Sequence, residues 1–372
     1  MKHSGVNRVF GLDVLRAVAI LSVMALHSTD LLVFTGISGN FADWLELQTS
    51  VLGVYGVEIF FVLSGFLIGA ILLSLAPSFK NPRVLPAFWQ RRWLRTLPNY
   101  FLFLGINIAI LRFLSPSTLP NMLPYFLFLQ NWLWIQPRFF LVSWSLAVEE
   151  WFYLLFPIAI FAFHRRLTYE KAFVVSALVF LVIPTILRII WAFSGHTDWD
   201  EEFRKVTLLR LDAIMYGVLA SQIKTVFPDF WEKFKYILLV AGLGILFGVW
   251  LYFVEVGFND WIAKTLLFSA ISLGASFLLP FCDQWQISKE NLVTRIFRQT
   301  ALWSYSLYLC HLSVGLIIKL SFLLLDRRTI PLSIAAWLAF YALSFALAAF
   351  LYRYFEKPIM NLRERFPILL EK

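Results

Sequence analysis

The stretch GLDVLRAVAILSVMALHS, residues 11–28, decides how this chain is read. It lies in an apolar run, over about 10–34, that as a helix crosses roughly 30 Å of hydrocarbon. Arg16 and His27 interrupt it. At about 100° per residue, eleven steps return a helix to within roughly 20° of its starting face. The two side chains therefore look the same way, about 16 Å apart along the axis. Ionisable groups at membrane depth are costly and face an interior path rather than lipid, so this pair is the first candidate for chemistry.

The rest of the chain agrees with a membrane setting. Of its 372 residues, 60% are hydrophobic and 15% charged, against about 25% charged in a soluble protein. Nine further apolar runs, about 51–75, 94–114, 142–163, 172–194, 206–223, 236–254, 261–281, 301–325 and 332–355, are long enough to span. The aromatic stretch at about 120–136 is shorter and broken by Pro120, Pro124 and Pro137, so it reads as interfacial or re-entrant. The expected fold is all-α: one polytopic bundle of about ten transmembrane helices, a single domain over 1–372 with its core at about 10–358. The connections leave no room for a soluble extracytoplasmic domain, and no internal repeat is visible. Asp13, Arg16 and the lack of a small-x-small site mark the first run as a retained span rather than a signal peptide.

The net charge of +9 does not point to nucleic acid, because the basic residues cluster between apolar runs. One alternate set of connections carries about 21 Lys and Arg, including Lys80, Arg83, Arg91, Arg92, Arg95, Arg353, Lys357, Arg363 and Arg365; the other carries about five. The positive-inside rule then puts both termini in the cytoplasm. Cys282 and Cys310 lie in or beside apolar runs, and the five histidines show no metal-ligand spacing, so neither a disulfide framework nor a metal site is expected.

With that orientation, a rise of about 1.5 Å per residue places Arg16 near the cytoplasmic edge and His27 in the outer half. Glu58, Glu149, Glu150, Arg188, Arg210 and Asp212 fall in the same outer layer, and His311 near the middle. Arg188, Asp212 and His311 also suit simple helix-to-helix bonding. Glu58 suits a partner for Arg210, while Asp13 either caps the first span or pairs with Arg16. Lys264, Lys319 and Arg112, near span ends, suit snorkelling. His27, with Asp30 three residues on, is the best base, since imidazole titrates near neutral pH.

Several segments together resemble the integral-membrane acyltransferase-3 family, over about Gly11 to Pro358. The opening stretch is similar to the family's Arg-x10-His signature through Arg16 and His27. GVEIFFVLSGFLIG at 56–69 resembles the second-span motif, with Glu58 where the family often has aspartate. RRWLR at 91–95 matches Arg-x-x-Arg through Arg92 and Arg95. SWSLAVEEWFYLLFP at 143–157, SYSLYLCH at 304–311 and YRYFEKP at 352–358 are also similar. The resemblance implies an O-acyltransferase of the bacterial inner membrane. It would move an acyl group, commonly acetyl, from cytoplasmic acyl-coenzyme A to a hydroxyl of an extracytoplasmic glycan or lipid-linked glycan.

Against that expectation, Arg91, Arg92 and Arg95 become the donor site, since guanidinium forks suit phosphate. His27, oriented by Asp30 or Glu149, becomes the base or transient acyl carrier. Arg16 flanks the donor arm's path, and Arg210 would steady the oxyanion. Acyl-coenzyme A acts as co-substrate, with no permanently bound cofactor. Trp132, Trp134, Phe139, Phe140 and Trp144 offer sugar-stacking faces. The rival class is a proton-coupled transporter or flippase, which paired repeats with broken helices would have signalled.

Overall fold

The computed structural model describes residues 8–35, 38–114, 119–325 and 329–362. Arg363 and Arg365 lie outside them. Among the described residues the chain is helical, with no strand. Ten principal helices follow in order: α1 Phe10–Thr35, α2 Asn40–Ser74, α3 Val84–Leu114, α4 Ser143–His164, α5 Tyr169–Phe193, α6 Leu211–Val226, α7 Lys235–Glu255, α8 Leu267–Gln284, α9 Leu292–Leu325 and α10 Ile330–Leu351.

Nine helices among the described residues are long and apolar enough to cross a membrane. The run expected at 206–223 is the exception. Its start is spent on a 3-10 turn, Thr207–Leu209, and α6 itself has 16 residues. The segment around 120–136 holds one helical turn, Leu123–Phe126, and otherwise irregular backbone. Side chains of neighbouring helices satisfy that backbone: the Tyr100 hydroxyl donates to Tyr125 O at 2.7 Å, and Trp151 Nε1 to Phe128 O at 2.9 Å. Irregular chain survives at such a place only where protein covers it.

α2 is the central strut, packed along α1 and α6, while α9 packs on α1 and α10. Small residues permit this closeness. A Cβ on Gly65 would sit 1.9 Å from the Ile214 carbonyl oxygen, and one on Gly217 1.9 Å from that of Val62. In lipid, helices associate through such close packing and through polar bonds between them.

Two buried ion pairs lock the same region. Arg188 on α5 donates to both carboxylate oxygens of Asp212 on α6, at 2.8 and 2.7 Å, and to Ser269 Oγ at 2.8 Å. Arg210, at the head of α6, pairs with Glu58 on α2, whose other oxygen accepts from Ser272 on α8 at 2.8 Å. All four charged side chains are at most 1% exposed. They tie α2, α5, α6 and α8 together, which is the helix-bonding reading of Arg188, Asp212 and Glu58.

Candidate active site

Three adjoining cavities run through the bundle around α1. The first, of about 780 Å³, is lined by Arg16 from α1, Ser64 from α2, Arg92, Arg95 and Thr96 from α3, Glu149 and Tyr153 from α4, and Tyr305 and Tyr308 from α9. Three guanidiniums thus face one carboxylate. Tyr153 donates to Glu149 Oε2 at 3.0 Å and also bonds Ser64. Arg92 lies 5.8 Å from the Tyr153 ring centroid. Arg16 has Asp13 at 3.8 Å, but that carboxylate is already held by Arg8 at 2.5 and 3.1 Å. Among the described residues, neither Arg92 nor Arg95 has a carboxylate within ion-pair reach of 4.0 Å. Three half-buried cations thus share one lining carboxylate, Glu149, so the cavity suits an anionic guest.

The second cavity, of about 650 Å³, holds His27 and Asp30 with Trp144, Arg204 and Lys205. Val57 and Tyr308 line both chambers and form the wall between them. The Tyr308 hydroxyl is fixed to Ser145 Oγ at 2.5 Å. Asp30 Oδ2 lies 3.6 Å from His27 Nδ1, within ion-pair reach but beyond a normal hydrogen bond. Behind His27 sits the ring of His311, fully buried, with centroids 5.1 Å apart.

A third chamber of about 1260 Å³ continues from the second through shared residues Leu26, Asp200 and Arg204. Arg204 reaches over the rings of Trp144 and Trp199, 4.9 and 5.8 Å from their centroids. It belongs to a six-residue π-helical turn, Trp199–Arg204, capped by Asp198 accepting from the backbone of Asp200 and Glu201. Burial raises the Asp200 carboxyl, but the charges of Arg204 and Lys205 outweigh it and hold the group down to about 2.

The expected residues therefore divide. Arg16, Arg92, Arg95 and Glu149 meet in the first chamber, His27 and Asp30 in the second. Arg91 lines neither: Arg92, Arg95 and Thr96 follow one helical stripe, and Arg91 sits about a quarter turn from its centre. Glu149 does not orient His27, because Tyr153 claims it on the far side of the Tyr308 wall. Glu150, one residue on, is buried, lines neither chamber, and among the described residues has no hydrogen-bond partner for either carboxylate oxygen. Arg210 is not placed for an oxyanion. It is 0% exposed, engaged by Glu58, stacked 4.1 Å from the Phe268 centroid and absent from all three linings.

Tyr308 and Arg204 escaped the sequence reading because nothing in one sequence says which helix or loop meets α1. His311, expected nearer the middle than His27, meets it ring to ring, because one sequence does not say which helices are neighbours.

The chain is thus a polytopic helical bundle that holds a cationic chamber against a histidine chamber. Residues 9–353 match the family described as an acyltransferase domain, and the chain belongs to that family. It is 26% identical to the O-acetyltransferase OatA of Staphylococcus aureus strain NCTC 8325, over 94% of this chain and 57% of that protein. It is 29% identical to the peptidoglycan O-acetyltransferase OatA of Listeria monocytogenes, over 62% of this chain and 37% of that one. The chain thus spans little more than half the length of the first of these relatives. No solved structure matches it.

Proposed function

We propose that this protein is an O-acetyltransferase that carries acetyl from coenzyme A to a hydroxyl of a cell-surface glycan, with peptidoglycan the leading acceptor. The observation that carries the reading is the pair of chambers with one wall, three guanidiniums on one side and His27 on the other. The charge bias of the connections supports a guanidinium chamber that opens toward the cytoplasm, the side on which coenzyme A is found. Its phosphates find Arg16, Arg92 and Arg95. Its thin pantetheine arm passes the Tyr308 wall. In the second chamber His27 takes the proton of the acceptor hydroxyl, the oxygen attacks the thioester carbonyl, and the thiolate leaves with the proton that His27 returns. The acceptor comes from the third chamber, between Trp199, Asp198 and Lys264. Both OatA relatives are named O-acetyltransferases, which supports acetyl, and the Listeria protein is named for peptidoglycan, which supports a glycan acceptor.

The test is turnover of acetyl-coenzyme A by purified protein in detergent with a soluble muropeptide acceptor. His27→Ala should lose about 10²–10⁴-fold in kcat. Arg95→Ala should mainly raise KM for the donor, by about 10-fold or more. A carrier has no gradient to work against in detergent, so activity there separates transfer from transport. Turnover by His27→Ala close to that of the unaltered protein overturns the reading.

A further inference from the structure

His311 has a use that the charge layout does not explain. Its side chain on α9 is 0% exposed and lines none of the three chambers. Nδ1 bonds the Leu307 carbonyl oxygen at 2.9 Å. A carbonyl only accepts, so Nδ1 carries the proton and Nε2 is left as a bare lone pair. That Nε2 has no hydrogen-bond partner among the described residues. An unsatisfied buried acceptor costs about 1–3 kcal/mol. Three rings pack on that of His311: His27, with centroids 5.1 Å apart and planes tilted by 37°, Tyr308 at 6.1 Å and Phe340 at 6.4 Å, and of these only His27 carries a nitrogen. His27 Nδ1 lies 3.6 Å from Asp30 Oδ2, itself part of the chamber lining, which leaves Nε2 as the nitrogen for His311.

We propose that His311 is the positioning partner of His27, accepting the N–H of its Nε2 and leaving Nδ1 as the base that meets the acceptor hydroxyl. A neutral imidazole has one N–H and one lone pair. Tying the N–H to His311 therefore decides which nitrogen is free. It also gives the roles an order. His311 sets the tautomer before reaction, and Asp30 steadies the imidazolium after Nδ1 has taken the proton. The bond itself would need an N···N separation of about 3 Å, and rings 5.1 Å apart between centroids are close enough for it. His311 touches neither substrate, so its effect passes wholly through His27.

This rests on the reading of His27 as the base, and the experiment separates the two. His311→Asn keeps a donor at the Nδ1 place for the Leu307 carbonyl but removes the acceptor; His311→Gln puts an amide oxygen near the Nε2 place. Expected is a fall in kcat of about 10²-fold for His311→Asn, with KM for the donor unchanged and most of the rate restored in His311→Gln. Nitrogen-15 NMR of His27 in detergent should show the Nε2–H tautomer in the unaltered protein and in His311→Gln, and a mixture in His311→Asn. The NMR of the unaltered protein needs no variant to fold and no activity. Observation of His27 as the Nδ1–H tautomer, or no response to His311→Asn, overturns the proposal. The predicted tautomers together with normal turnover by His27→Ala would keep the pairing and reject the base.

Discussion

Glu58→Gln is the sharpest test of what the sealed Arg210 pair does. The substitution leaves the Arg210 guanidinium, 0% exposed, without its counter-charge. The nearest alternative, Asp212, is already bonded through both oxygens to Arg188. Breaking a buried pair by removing one partner costs about 3–5 kcal/mol, whereas replacing both by apolar side chains is often neutral. With an unfolding entropy of about 2.1 cal/mol/K per residue, the 372-residue chain should lose about 4–6 °C in Tm. The double variant Glu58→Leu with Arg210→Met should recover most of that loss. The assay is thermal unfolding in detergent by tryptophan fluorescence, with turnover per folded molecule measured alongside. A double variant as unstable as the single, or one that is stable but has lost more than about 100-fold in turnover, would refute the structural assignment.

Gly65→Ala should destabilise by about 1–3 kcal/mol, because its Cβ meets the Ile214 carbonyl oxygen at 1.9 Å. Gly105→Ala in α3, which meets nothing within 4 Å, should stabilise by about 0.5–1 kcal/mol; the two Tm shifts should have opposite signs. Asp200→Asn should cost about 1 kcal/mol or less at pH 7, since a side chain 40% exposed is well screened. The Asp200 carboxyl is depressed to about 2 in the folded protein, so its contribution is present above about pH 4 and fades toward pH 2. The Tm gap to Asp200→Asn should close across that window. Tyr308→Ala removes the wall shared by the two chambers. It should raise donor hydrolysis without acceptor several-fold and admit longer acyl chains, read as free thiol released.

Much of the fold was legible because a membrane span is a long apolar run, and nine such helices stand where runs were read. Their ends were less so. α2 begins at Asn40, well before the apolar run at about 51, because its first turns carry Asp43, Glu46 and Gln48 and remain helical. α9 likewise begins at Leu292, through Arg295 and Arg298. Hydropathy sees the part that lies in hydrocarbon, not the helical turns beyond it. Pro98, Pro157, Pro184 and Pro280 sit inside helices without ending them, as neighbouring helices allow in a bundle.

The site divides in the same way. That Arg16 and His27 share a face follows from their spacing along one helix. That Tyr308 stands between their chambers, that Glu149 turns to Tyr153, and that Glu58 finds Arg210 all depend on which helices are neighbours. One sequence carries no such information. Depth alone grouped Arg210 with Glu149 and His27, whereas packing separated a sealed structural pair from the residues that line space.

Electron cryomicroscopy of the purified protein with a non-hydrolysable thioether analogue of acetyl-coenzyme A tests the central claim most directly. The account predicts density for the donor phosphates against Arg16, Arg92 and Arg95, with the acetyl end past Tyr308 and against His27. Phosphate density on any other surface, or an acetyl end that stops short of His27 in an enzyme still turning over, would contradict it.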